Sequence, residues 1–548
     1  MTLASILVLL LSPVAAAPAA DEALERAVAT ELGRAKQELK DDGYPPVYHA
    51  ALNLWDFDDW DRWGAMGATR AEATMSQRIL LPDIRVGGPE LDNHPVTAKT
   101  EYLGIAVSLE SDEFALRHAL WRALDGAYKT ASADYLRKQA QVVTRGKAEY
   151  DTDDLSAEAA LACRASRPAS SWDLDRLRRL EDAISGPFSR VPWLLHAESH
   201  VGLRRLWTRR RDTDGTAVDK AEDWARVDME AAALSADGLR QSVYREFYAR
   251  TPADLPSEGT VRAAADDMLK DLGEMRAAVT TSPFNAPALV DPSVAAALVF
   301  ALGQRLSGEE QRNPAGAQTF RGRLMEKILP EELTLVDDPT RNAFRGRALF
   351  GRYEYDDQGV PARRTVLVER GVLKGFLLSR YPVKGFVRSN GHGRGPIGQM
   401  PVGTPGNLFL SSERPRSAAD LLARLRAECR RAGKSHGLWV RKLRAYVQQQ
   451  SGSAQGSIRF LAQVFLVDAE SGKTLRVRDL DLVGTPLVMA GGILEAGADA
   501  EVNEAYQGSP VAVVSPSLLL ADVELQRSQT KPEKAPLLPP PTAPPVRP

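Results

Sequence analysis

The strongest pair of metal-binding side chains in this chain is His196 and His200, four residues apart in the run VPWLLHAESHVGLRRLW. On a helix that spacing sets both imidazoles on one face, where they grip zinc. A hydrolytic pair of this kind has its glutamate directly after the first histidine, whereas Glu198 here lies midway. The flanking residues alternate as in a strand, on which both rings still share one face. The expectation is a structural or surface role, with a metal site at His196 and His200 as the alternative.

Other clusters fail on context. Gly433-Lys434-Ser435-His436-Gly437 has the letters of a nucleophile elbow, which needs a strand before it and a helix after it. The order here is reversed, so a helix C-terminal turn is expected. Asp56 to Asp61 is acidic enough for a calcium loop but lacks the glycine and terminal glutamate, and reads as a solvated acidic loop. The tryptophans beside it, Trp55, Trp60 and Trp63, read as packing residues. Arg204-Arg205 and Arg209 to Arg211 read as a charged strand face. A net charge of −2 over 548 residues gives no general pull toward nucleic acid, and no nucleic-acid fold signature accompanies the arginines.

The elements that would hold such residues are those of a large globular protein. Hydrophobic residues make up 44% and charged residues 26%, enough to bury several cores. Leu3 to Val14 followed by small residues reads as an export signal over residues 1–20, so a periplasmic or extracellular location is expected. Cys163 and Cys429 are too few for a disulfide framework and are expected as unpaired thiols. Residues 24–282 form a first region, 283–528 a second domain, and the proline-dense 529–548 an extended tail.

Periodicity predicts helices over Leu24 to Lys40, Ser111 to Arg145, Val261 to Val279 and Ala418 to Arg431. Strands are predicted at Val47 to Trp55, Gln77 to Val86 and Tyr102 to Val107, and alternation over Glu181 to Arg250 with a turn at Asp214-Gly215. Asp291-Pro292 sets a capping carboxylate before a helix whose Val294, Leu298, Leu302 and Leu306 share a stripe. Arg370-Gly371 is a hairpin turn between Thr365 to Val368 and Val372 to Leu378. Further strands are predicted at Leu438 to Val447, Ile458 to Val467 and Thr474 to Leu482.

Three stretches in order, TLVDDPT from Thr334, RRTVLVERGVLKGFLLSR from Arg363 and SNGHGRGPIGQMPVGTPGN from Ser389, resemble the C-terminal domain of the TldD/PmbA family. The resemblance implies an α+β fold, with an N-terminal sheet-and-helix domain and a larger C-terminal domain of mostly antiparallel strands with helices. TldD-type members are zinc metallopeptidases whose zinc helix reads His-Glu-x-x-x-His. The corresponding stretch here places Val299, Phe300 and Gln304 at those positions. Valine and phenylalanine offer no lone pair and an amide is a poor zinc donor. The family's cysteine ligand is expected between Tyr506 and Pro516, where none occurs. In this respect the chain is similar to the PmbA (TldE) type, which partners the TldD type.

The resemblance therefore implies no cofactor, with zinc only in the alternative. It implies a degenerate subunit that assists peptide proteolysis with a TldD-type zinc metallopeptidase partner, or pairs with itself as a dimer. Its glycine-rich stretch, Ser389, Asn390, Gly391, His392, Gly393 and Arg394, is implied as peptide-binding, against the plainer reading of a turn with a solvent-facing histidine. Two alternatives stand beside this one: an active metallopeptidase with non-family ligands, and a non-catalytic cell-envelope peptide-binding protein.

Overall fold

The computed structural model describes residues 18–94, 104–110, 112–145, 152–165, 172–312, 319–443, 448–449, 458–538 and 541. The apolar run Leu3 to Val14 lies outside them, as do Tyr102, Ser111, the last four residues of the strand expected over Leu438 to Val447, and residues 539, 540 and 542–548 of the proline-dense end. No helix among the described residues is long and apolar enough to cross a membrane.

Two long strands, Val47–Ala65 and Ala68–Val86, form a hairpin closed at Met66-Gly67, both of which take positive φ. Strand Val47–Ala65 also pairs with His196–Asp212, which pairs with Ala217–Leu234, and Arg240–Ala249 forms an outer edge. Helices α1 (Pro18–Glu38) and α2 (Glu113–Arg145) pack with the start of the hairpin around Leu24, Val28, Leu52, Leu80, Leu120 and Leu124. Asp112 caps α2 by accepting from the Ala115 amide at 2.7 Å. Helices α3 (Leu174–Ser185) and α4 (Glu258–Ala277) cover the other end of the sheet around Trp60, Leu180, Val227 and Met268.

Two sequence expectations change here. Asp56 to Asp61 is not a loop but the middle of a 19-residue strand. Its carboxylates meet the arginines of the neighbouring strands: Asp59 takes two bonds from Arg204 at 2.6 Å, and buried Asp56 bonds both Arg78 and Arg209. Cross-strand neutralisation lets acidic residues occupy a strand that they would otherwise disfavour. Trp55 and Trp60 are buried as packing residues, and Trp63 stacks on His200. The alternation predicted from Glu181 begins later, because Glu181 belongs to α3, where its buried carboxylate accepts from Arg62 and Ser199.

The C-terminal part contains a six-stranded and a ten-stranded sheet with helix α5 (Pro292–Arg305) in their shared core. Val294, Leu298, Leu302 and Leu306 are buried there, as their spacing requires. Each such side chain contributes roughly 1.5–3 kcal/mol of burial. Asp291 occupies the N-cap position of α5, but its side chain makes no capping bond and instead accepts from the Trp439 indole at 2.7 Å. The predicted helix Ala418–Arg431 and the turn at Gly433 precede strand His436–Leu443, the reverse of a nucleophile elbow. Arg370 and Gly371 take positive φ in the predicted hairpin, although its second strand is only Val372–Leu373. The whole is α+β with mostly antiparallel pairing. Both cysteines are free thiols.

Candidate functional site

A cavity of about 730 Å³ lies where the two parts of the chain meet. Helix α5 supplies one wall with Ala296, Ala297, Phe300, Ala301 and Gln304. The second wall is Tyr244 to Phe247, on the edge strand Arg240–Ala249 of the N-terminal sheet. Strand Glu501–Tyr506, the edge of the six-stranded sheet, makes the third. Two strand edges and a largely apolar helix face thus enclose one space. Such edges offer backbone groups to an extended chain.

Four carboxylates, Glu246, Asp291, Glu501 and Glu504, line the cavity, and burial pushes Glu246, Asp291 and Glu504 above the usual carboxylate range. Glu504 is bonded by Arg347 at 2.8 Å. Asp291 holds the Trp439 indole and has Arg441 at 3.5 Å. Glu246 accepts from the hydroxyls of Tyr244 at 3.0 Å and Tyr248 at 2.9 Å. Sequence reasoning missed all four as members of a site. The only available signal for Glu246 was the period-two run Tyr244, Glu246, Tyr248, which equally describes an ordinary strand face.

The residues singled out from sequence lie elsewhere. His196 and His200 sit on one strand, where four residues span about 13 Å. His200 is held between Asp228 at 2.8 Å and Asp61 at 2.7 Å, so the pair does not converge on one point. The stretch from Ser389 to Arg394 is turned inward. Ser389, His392 and Arg394 are buried, and His392 lies between Asn390 and Asp337, so it is not solvent-facing. Arg394 donates to the carbonyls of Pro405 and Pro510 and lies over the Tyr353 ring. Asn390 bonds the backbone of Leu378 and Phe376, and Gly393 donates to Asp356. Gly391 needs its positive φ, and a Cβ there would stand 2.2 Å from the Pro361 carbonyl oxygen. None of these six residues is part of the cavity lining.

Residues 283–527 match the model of the PmbA/TldA metallopeptidase C-terminal domain. A metalloprotease of Archaeoglobus fulgidus is 29% identical over 209 residues, covering 37% of this chain and 44% of that protein. A metalloprotease of Methanothermobacter thermautotrophicus is 41% identical over 96 residues, 17% of this chain and 20% of that protein. The chain thus aligns with less than half the length of these relatives. The crystal structure of TldE from Thermococcus kodakarensis shares the fold, with a TM-score of 0.59 at 16% identity over 92% of this chain and 99% of that one. The matched domain and the metalloprotease relatives support membership of the TldD/PmbA family.

The family's zinc can be tested against the donors present. Phe300 and Gln304 line the cavity, while Val299 is buried in the core, so this face of α5 presents an aromatic ring and an amide. Two of the four lining carboxylates already face arginines. Among the described residues, the one group of three potential metal donors is His49, Asp212 and Asp214. It lies outside the cavity lining, and the Arg380 guanidinium stands 3.8 Å from Asp212 and 3.4 Å from Asp214. A guanidinium so close opposes a second cation. The residues of the cavity do not fit a catalytic zinc of the family type.

Proposed function

We propose that this TldD/PmbA-family protein binds peptide in an extended form in the cavity and serves as a catalytically degenerate subunit beside a TldD-type zinc metallopeptidase. The observation that carries this reading is the face of α5 toward the cavity, which offers Phe300 and Gln304 where the family resemblance expects a glutamate and a histidine. The same face preserves what a peptide needs, apolar surface beside two strand edges. Export, expected from Leu3 to Val14, belongs to this reading and is tested by amino-terminal sequencing of the mature protein.

The test is purification of the tagged chain from its native host, with mass spectrometry of what accompanies it, zinc analysis, and peptide-hydrolysis assays on the chain alone. A zinc-bearing family member should co-purify, and the isolated chain should bind peptide without cleaving it. Stoichiometric zinc with chelator-sensitive hydrolysis by the chain alone would overturn the degenerate reading. Peptide capture with no protease partner would instead favour a stand-alone binding protein.

A further inference from the structure

The four carboxylates of the cavity are not equivalent, and Glu501 is the exposed one among them. Glu504 and Asp291 each face a guanidinium, from Arg347 and Arg441. Glu246 has no cation within ion-pair distance among the described residues. Its bonds come from two tyrosine hydroxyls, both to Oε2, which leaves Oε1 without a donor there. The Arg226 guanidinium attracts its charge from a distance but is itself paired with Asp228. Asp228 stands opposite on the adjacent strand, engaged with His200 and Arg226, and Arg245 is bonded to Asp271. Lys442, also in the lining, is paired with Asp267 and Asp271. Glu230 stands opposite Tyr244 and adds a further carboxylate to that pair of strands.

We propose that Glu246 is a specificity-determining residue of the cavity, receiving an ammonium group carried by a lysine side chain or by the free amino terminus of a peptide. This rests on the cavity being a peptide site. The tyrosines fix the carboxylate in place and leave one oxygen for the incoming donor. Apolar surface from α5 lines the same cavity and would take the ligand's hydrocarbon portion. Charge-assisted hydrogen bonds of this kind strengthen as water is excluded. Burial pushes the Glu246 carboxyl upward, so the ammonium preference should grow as pH rises through that raised value and fade below it.

The test is fluorescence anisotropy of the full chain with short alanine, serine and leucine peptides labelled at the carboxyl end. One set carries a single lysine, a second carries norleucine in its place, and each is made with a free and with an acetylated amino terminus. The lysine or free-amine peptide should bind about tenfold more tightly than its acetylated norleucine counterpart, the discrimination of one charge-assisted bond. Acetylation identifies which ammonium is read. Glu246→Gln should remove the preference. Equal binding of charged and neutral peptides by the wild-type chain would overturn the proposal and leave the peptide site standing. So would a preference that survives Glu246→Gln. If no peptide binds at all, the cavity reading and this one fall together. Should the variant not fold, the lysine and norleucine comparison on the wild-type chain, followed with pH, decides by itself.

Discussion

Asp56 carries a large electrostatic responsibility for one side chain. It is buried in the middle of the sheet, and Arg78 and Arg209, both buried, converge on its two oxygens. Removing one partner from such a group leaves uncompensated charge in a low-dielectric interior, which costs more than the intact group contributes. Asp56→Ala should therefore destabilise the protein by roughly 3–5 kcal/mol in chemical denaturation. A loss within experimental error would show that water reaches the arginines. The histidines obey the same logic. His200 and His392 are each placed by carboxylates and amides that the fold supplies.

At the scale of elements, the long hairpin is tied to α3 through Glu72. Its carboxylate accepts from Arg178, Arg62 and Trp60, and these bonds, Arg178 first, hold its pKa down at about 2. The folded value lies below the ordinary 4.5, so the folded state binds fewer protons than the unfolded state between them. The contribution is present above the unfolded value and is lost as pH falls from about 4.5 toward 2. Glu72→Gln should flatten the acid limb of a thermal-stability profile in that window. An unchanged limb would show that solvent screens the bonds. Edge strands matter at this scale too, because Arg240–Ala249 and Glu501–Tyr506 end their sheets at the cavity. Their free edges turn a junction between domains into a candidate binding site.

At the scale of the whole molecule, the two parts are joined by polar side chains as well as by the walls of the cavity. Arg380 donates to the Ser156 carbonyl at 2.9 Å and lies beside Asp212 and Asp214 of the N-terminal part, while Lys220 pairs with Asp357 at 2.5 Å. Arg85 donates to the Tyr381 hydroxyl at 2.6 Å. Arg380→Ala should lower stability by about 2–4 kcal/mol and weaken peptide binding in the cavity, since it removes a buried charge from this junction. Denaturation and the anisotropy assay check the two effects. Stability lost without any change in binding would show that the junction does not shape the cavity.

Local regularities were legible in the sequence. The apolar stripe of α5, the helix Ala418–Arg431 and the Arg370-Gly371 turn follow from spacing, capping and the tolerance of glycine for positive φ, all properties of neighbouring residues. The replacement of family ligands at Val299, Phe300 and Gln304 was also written in the chain. What depended on distant partners was not. Asp56 to Asp61 became strand because arginines about 150 residues away sit on the adjoining strand, and His392 became buried because Asp337 waits for it. The cavity and Glu246 exist only where two sheet edges approach α5. Neighbouring residues settle helix, turn and donor chemistry by themselves, but the long-range pairing that cancels or strands a charge is decided by the tertiary fold.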